Sequence, residues 1–303
     1  MIEKPSIIVT SLGRTGTLFF QNLFDASLLY GTCLHEPDRL NFGQYEGMGD
    51  KAAQVYRQIR ESGVFELLIR KFIFSDWSIE AVSKDRETGK LSDPEAIKRI
   101  ISQRKKFIQR QPGSIYLESS SAFYGIIDLL DKVFYQHRVI YIIRDGRDWV
   151  RSKMNFGTMY AKNPLQKLIS GSWPTAVELN DSVYGEKWHE MTRFEKICWA
   201  WAELNQYALK CAAKNPYARV VRFEDVLSSP DAAKNLSDLI DFAVSISPAA
   251  AVKKKTLKNW LPGQTHASQK LFPDWCQWNN KQTDWFIQVC GPLMKKLGYE
   301  LKS

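Results

Sequence analysis

Ser6-Ile-Ile-Val-Thr10 runs without a break into Thr10-Ser-Leu-Gly-Arg-Thr-Gly-Thr17, and this junction decides the fold. The first part is a short β-branched run of the kind that forms a buried strand, and the glycine-bearing part leads into a helical stretch expected near 17–29. A strand that passes through such a turn into a helix offers backbone N–H groups and the positive end of the helix dipole to phosphate oxygens. Gly13 and Gly16 let the backbone turn and approach closely, Arg14 supplies positive charge, and Thr15 and Thr17 offer hydroxyls. An ATP or GTP loop of the form GxxxxGK(S/T) needs a lysine, and none occurs between Lys4 and Lys51, which argues against an ordinary Mg-dependent NTPase. The competing reading is a glycine-bearing turn that holds no ligand.

Working outward, the same strand–helix rhythm recurs. Ser114-Ile-Tyr-Leu117, Arg138-Val-Ile-Tyr-Ile-Ile-Arg144 and Arg219-Val-Val-Arg-Phe223 are the next strand candidates, and continuous apolar runs of this kind suit a parallel sheet covered on both faces. Helices are expected near 50–72, 94–110, 122–133, 145–156, 192–214, 231–241 and 280–297, which predicts a doubly wound α/β fold with its ligand at the strands' C-terminal ends. One domain over 1–303 is expected. Two stretches break the rhythm, 73–92 with Asp76, Trp77 and Glu80, and 157–190, rich in Gly, Pro, Asn and Trp. Both are candidates for lids or acceptor-binding loops, with variable surface insertion as the alternative.

Composition bounds the possibilities. The chain has 303 residues, 44% hydrophobic and 25% charged, within the globular range. No apolar run is long enough to span a bilayer, and the first strand starts too early to leave room for a signal peptide, so a cytoplasmic location is expected. Cys33, Cys198, Cys211, Cys276 and Cys290 are scattered and lack a CxxC pair, a pattern of reduced thiols rather than disulfides or a zinc site. A net charge of +9 favours an anionic partner without choosing among nucleotide, nucleic acid and membrane surface.

Val139-Ile-Tyr-Ile-Ile-Arg-Asp-Gly-Arg-Asp-Trp-Val-Arg-Ser152 repeats the logic of the first junction, with Arg144 at a strand end and Ser152 about two helical turns on. Together the two segments resemble the PAPS-dependent sulfotransferases, in which a 5′-phosphosulfate loop precedes a strand and helix that hold the 3′-phosphate. Val221-Arg-Phe-Glu-Asp-Val226, Ser268-Gln-Lys-Leu-Phe-Pro-Asp-Trp275 and Leu297-Gly-Tyr299 extend the resemblance; 40–112 carries none of it. It implies a P-loop-type doubly wound sheet in a stand-alone, bacterial-type enzyme, with a C-terminal segment near 256–303 closing over the nucleotide. It further implies that Arg14, Thr15, Gly16, Thr17 and the adjoining Leu18 hold the phosphosulfate, that Arg144 and Ser152 hold the 3′-phosphate, and that Phe19 and Phe223 flank adenine. Lys270 stands where the family has a basic residue followed by Gly, and that Gly is missing here. Arg14 replaces the lysine of the animal cytosolic branch, and a planar fork of donors still stabilises a leaving phosphate oxygen.

An acceptor hydroxyl must lose its proton as the sulfuryl group arrives, so a general base is required. Cys33-Leu-His-Glu-Pro37 reads as a second strand ending in a turn that brings His35 or Glu36 to the same sheet edge. The resemblance, in which some branches use a Glu near this point and others a His on the next strand, where Leu117-Glu-Ser-Ser-Ser121 has none, implies Glu36 as the favoured base, His35 as the second choice and Glu118 as the third. The alternative is that His35 and Glu36 only stabilise a turn. His137 and His189 read as surface residues, and His266 falls in the closing segment; no spacing suggests a metal. A nucleotide kinase would want the missing lysine and a Mg²⁺ ligand set. A nucleic-acid binder would draw on Arg104-Lys-Lys106 and Lys253-Lys-Lys255, which read instead as solvated helix faces. The expected partner is a small acceptor, polar or cationic given Glu36, Asp38, Asp76 and Glu80, with neither nucleic acid nor membrane as partner; the acceptor's identity and the oligomeric state are not legible.

Overall fold

Five parallel strands form the centre of the computed structural model, in the spatial order β2-β3-β1-β4-β5. They are β1 (Ser6–Ser11), β2 (Gly31–His35), β3 (Ile115–Ser119), β4 (His137–Ile143) and β5 (Ala218–Arg222). The helices are α1 (Thr17–Ser27), α2 (Ile79–Glu87), α3 (Asp93–Arg110), α4 (Leu130–Val133), α5 (Gly146–Phe156), α6 (Arg193–Lys214), α7 (Phe223–Leu227), α8 (Ala232–Val244) and α9 (Asn280–Lys296). The structure describes residues 1–38, 78–156, 159–160, 173–247 and 271–301.

The alternation of side chains along each strand sorts the core into two layers. Ile7 and Val9 of β1, Ile115 and Leu117 of β3, and Ile140 and Ile142 of β4 point to one face, where Phe20, Leu23 and Phe24 of α1 and Leu236, Leu239 and Ile240 of α8 cover them. Ile8, Tyr116, Val139, Tyr141 and Ile143 point to the other, under α2, α3, α5, α6 and α9. Covering both faces is why the strands read as unbroken apolar runs. Three helices start with reciprocal caps, Ser92 with Glu95, Thr192 with Glu195 and Asn279 with Gln282, each satisfying N–H groups that a helix start leaves unpaired.

The structure corrects several expectations. Within 73–92, residues 79–87 form α2, whose Ser78 cap accepts from the Ala81 N–H at 3.1 Å. The helix expected at 122–133 is instead two single 3₁₀ turns and the four-residue α4. Its backbone is claimed by α2: a Cβ on Gly125 would lie 2.8 Å from the Ser83 carbonyl oxygen, and Arg86 donates to the Gly125 carbonyl at 2.9 Å. In the stretch 157–190, Met159, Ala176 and Trp188 are buried in the core, and Trp188 packs on Trp199 with centroids 4.9 Å apart. His137 is no surface residue: it opens β4, is 3% exposed and meets Asn215, and burial lowers its pKa. Nor is Arg104 solvated, because it pairs with the buried Glu118 of β3 and the half-buried Asp38 of the turn after β2. The helix expected at 50–72, Asp76, Trp77, Lys253-Lys-Lys255, His266 and Lys270 lie outside the described residues.

Glu87 ends α2 inside this packing. Burial pushes its carboxyl up to about 8, against the Tyr124 hydroxyl that donates to it at 2.8 Å, and Glu203 adds to the rise. The folded chain keeps this proton where the unfolded chain, near 4.5, has lost it. The stabilising contribution is therefore complete below about pH 4.5 and disappears as pH rises through about 8. Urea unfolding at pH 5 and pH 8.5 should show wild type losing more stability across that interval than Glu87→Gln, by on the order of a few kcal/mol; parallel losses would contradict the assignment.

Candidate anion and transfer site

β1 lies between β3 and β4, and connections leave β1 and β4 in opposite directions, so the loops after these two strands open side by side. The register sets their level: Ser11 pairs with Ile142, while Val9 and His35 both pair with Ser119. The loop after β1, the Arg144 strand end, the His35-Glu36 turn and the Ser119-Ser-Ser121 run thereby meet at one sheet edge.

The loop after β1 is held in a conformation that few residues adopt. Gly13, Arg14 and Gly16 have φ of 73°, 60° and 74°, and Glu36 at the end of β2 has 43°. Two non-glycine residues in the left-handed region at one sheet edge cost backbone energy that the surrounding structure must offset. Ser11 does part of this, accepting from the Gly13 N–H at 3.0 Å and from the Thr15 hydroxyl at 2.5 Å. Thr15 thus turns its side chain inward and is 1% exposed. Trp149 of α5 donates to the Gly13 carbonyl at 2.9 Å, and Ser119 to the Thr17 carbonyl at 2.7 Å.

Two guanidinium groups converge over this loop. Arg14 Nε donates to the Ser152 hydroxyl at 2.9 Å, with its guanidinium 5.0 Å above the Phe156 ring. Arg144 Nη1 donates to the Arg14 carbonyl at 2.9 Å, with its guanidinium 4.7 Å above the Phe223 ring. Burial, and then the facing charge of Arg144, lowers the pKa of Arg14. Asp148 is the acid beside Arg144, at 3.7 Å, and it is half exposed and shared with Arg151. Arg144 Nε is buried with no hydrogen-bond partner among the described residues. Two cations brought together with a donor left over make a place for an anion. The cradle has little slack, since a Cβ on Gly16 would sit 3.2 Å from the Phe223 ring and 3.8 Å from the Phe19 Cβ. Leu18 follows in the first turn of α1, half-buried.

The three base candidates separate clearly. His35 Nε2 is 3.1 Å from the Thr17 hydroxyl, and Glu36 accepts from the Ser121 hydroxyl at 3.2 Å. Glu118 is fully buried in an ion pair with Arg104, at 3.0 and 2.9 Å, while also accepting from Tyr116 at 2.7 Å, so it serves as an anchor and not a base. Arg104 has no exposed surface and reaches Asp38 at 2.7 Å as well, tying the turn beyond Glu36 to β3. Asp38 is therefore the second carboxylate on Arg104.

Sequence reasoning missed Lys153, the residue after Ser152. It is 7% exposed, and its Nζ lies 4.5 Å from the Trp173 centroid, 5.0 Å from that of Trp149, and 3.5 Å from where a Cβ on Gly13 would be. Glu224 was missed as well: it accepts from the Asp145 N–H at 3.0 Å and from the Tyr299 hydroxyl at 2.7 Å, bracing the start of α5 against the segment after α9. On the other side of α5, the Phe272 N–H donates to Asn155 at 2.6 Å and Trp275 lies under Arg147 at 5.1 Å. Among the described residues no group of three His, Cys, Asp or Glu side chains is placed to hold a metal, and no helix is long and apolar enough to cross a membrane.

Ser11 carries two bonds of the loop from a fully buried position. Ser11→Ala strands the Thr15 hydroxyl and the Gly13 N–H and should cost roughly 1–3 kcal/mol of unfolding free energy in urea titration; a loss within experimental error would mean that the loop closes without it.

No protein-family model matches the chain, and no curated protein matches it by sequence. Among solved structures it is similar to the sulfotransferase STF9 from Mycobacterium avium, at 13% identity over 100% of this chain and 79% of that one, with a TM-score of 0.53. Looser similarities join it to the sulfotransferase domain of the Synechococcus PCC 7002 olefin synthase (14% identity, 99% of this chain and 97% of that one, TM-score 0.44) and to the sulfotransferase STF1 from Mycobacterium tuberculosis H37Rv (14%, 95% and 78%, 0.48). The chain therefore has the P-loop-type α/β fold of the sulfotransferase STF9.

Proposed function

We propose that this chain is a PAPS-dependent sulfotransferase acting on a small-molecule acceptor. The observation that carries the reading is the convergence of Arg14 and Arg144 on a left-handed strand-to-helix loop, with the Arg144 Nε buried and unsatisfied. A nucleotide bearing phosphate at both 3′ and 5′ positions fits that arrangement: Arg144 and Ser152 would take the 3′-phosphate, and the backbone of 13–17 with Arg14 the 5′-phosphosulfate. Phe19 and Phe223, on either side of the Gly16 cradle, would border the adenine. Lys270 and the segment around it would complete the donor site.

In this mechanism the acceptor oxygen attacks sulfur in line with the bridging oxygen of the phosphosulfate. The new S–O bond forms as the bridging S–O bond breaks, and adenosine 3′,5′-bisphosphate (PAP) leaves with the electron pair on its 5′-phosphate. Glu36 takes the acceptor proton, with His35 as the second candidate. Arg14 and the loop amides stabilise charge on the departing phosphate. Nothing in these steps calls on a metal. Glu80 in the first turn of α2, near Tyr124 stacked on Trp173, is consistent with a polar or cationic acceptor. We place the enzyme in the cytoplasm, where its thiols would stay reduced.

Thermal denaturation with adenosine 3′,5′-bisphosphate, Mg-ATP and duplex DNA compares three readings at once. The bisphosphate alone should stabilise the chain, by about 2.7 kcal/mol at 100 times its dissociation constant. Stabilisation confined to Mg-ATP would replace sulfuryl transfer by phosphoryl transfer, and a salt-sensitive response confined to DNA would point to nucleic acid. Arg144→Ala should weaken bisphosphate binding at least tenfold by calorimetry. Once an acceptor is in hand, Glu36→Gln should leave that binding within twofold while turnover drops about 10²-fold or more; a larger loss in His35→Ala would transfer the base to His35.

A further inference from the structure

The loop after β1 lacks the lysine that phosphate loops of this shape commonly carry, yet a lysine ammonium lies against it. We infer that Lys153 adds a second positive charge, from α5, to that of Arg14, contacting the sulfuryl end of the donor; the inference rests on the donor proposed above.

Its surroundings argue for this role. Lys153 and Trp149 are four residues apart and share one face of α5, the face turned to the loop: Trp149 fixes the Gly13 carbonyl, and the Lys153 ammonium lies over Gly13 itself. The Trp149 and Trp173 rings flank the ammonium and keep it from swinging outward. Ser121, the partner of Glu36, is on the same side, its Cβ 3.6 Å from the point that a Cβ on Gly13 would occupy. The ammonium, the base candidate and the loop thus enclose one point. Ser152 holds Arg14 from the neighbouring turn position, so two consecutive residues of α5 serve opposite sides of the loop.

A lysine in the last turn of a helix ordinarily balances the exposed carbonyls there. In α5 that task belongs to Arg193, which donates to the carbonyls of Lys153 at 2.8 Å and Met154 at 3.0 Å. The side chain of Lys153 instead runs back towards the helix start, as helical side chains do, and ends at the loop. At 7% exposure the ammonium is held against the loop at Gly13 instead of in solvent. During transfer its ammonium donates hydrogen bonds to the sulfuryl oxygens, which adds electrostatic stabilisation.

The test compares two ligands by calorimetry on wild type, Lys153→Met and Lys153→Arg. PAPS carries the 5′-phosphosulfate; adenosine 3′-monophosphate lacks it and reports the Arg144 side alone. Lys153→Met should weaken PAPS tenfold or more and adenosine 3′-monophosphate less than twofold, and Lys153→Arg should recover most of the loss. Equal weakening of both ligands, or of neither, would overturn the assignment and leave Lys153 a packing residue. If Lys153→Met melts too low for titration, Lys153→Gln carries the same comparison. A wild-type chain that binds neither ligand would remove the donor itself, a result separate from any failure of Lys153.

Discussion

Two positively charged guanidinium groups are held against each other over a single loop, and most of the sheet edge is organised to make this tolerable. Arg14 gains the Ser152 hydroxyl and the Phe156 ring, and Arg144 gains a backbone carbonyl and the Phe223 ring. These contacts orient the cations without neutralising them. Left-handed backbone at Arg14 adds a second cost at the same place. An anion between the two guanidinium groups, as in the proposed donor complex, would offset their repulsion.

The supports lie in layers behind that loop. Ser11 closes it from below, Trp149 from the side, and Glu224 fixes the start of α5 through the Asp145 N–H while holding Tyr299. Farther along the edge, Arg104 joins Glu118 to Asp38 and so sets the turn that carries Glu36. Breaking such a buried pair by removing one partner leaves an uncompensated charge, so these anchors hold the geometry more firmly than exposed ion pairs would.

How much of this was readable in the sequence depends on how local the determinant is. The strands declared themselves because a sheet covered on both faces needs unbroken apolar runs, as in Ile7-Ile-Val9 and Val139-Ile-Tyr-Ile-Ile143. The loop did so because Gly13 and Gly16 permit the left-handed backbone that a strand-to-helix turn requires. Arg104 did not, because a basic residue beside Lys105 and Lys106 resembles a solvated face until Glu118 and Asp38 are brought to it by the fold. His137 was obscured by the neighbouring Arg138, although both lie within β4. Lys153 was hidden among Arg147, Arg151 and Ser152; its four-residue spacing from Trp149 was the available clue, but only the packing of α5 on the loop gives that spacing a meaning. The helix pattern at 122–133 failed at Gly125, where α2 takes the backbone groups that a continuous helix would have used.

The strand order carries a consequence for how the chain is made. β1 is the sheet's central strand, yet it is the first to be synthesised, and the partners of Ile7, namely Leu117 and Arg138, follow more than a hundred residues later. At roughly 5–20 residues per second a ribosome needs on the order of ten seconds to deliver them. For that interval a strand that the finished fold buries along its whole length has neither edge paired. Newly made chains are thus exposed to misassociation through the strand that leads into the loop at 11–17.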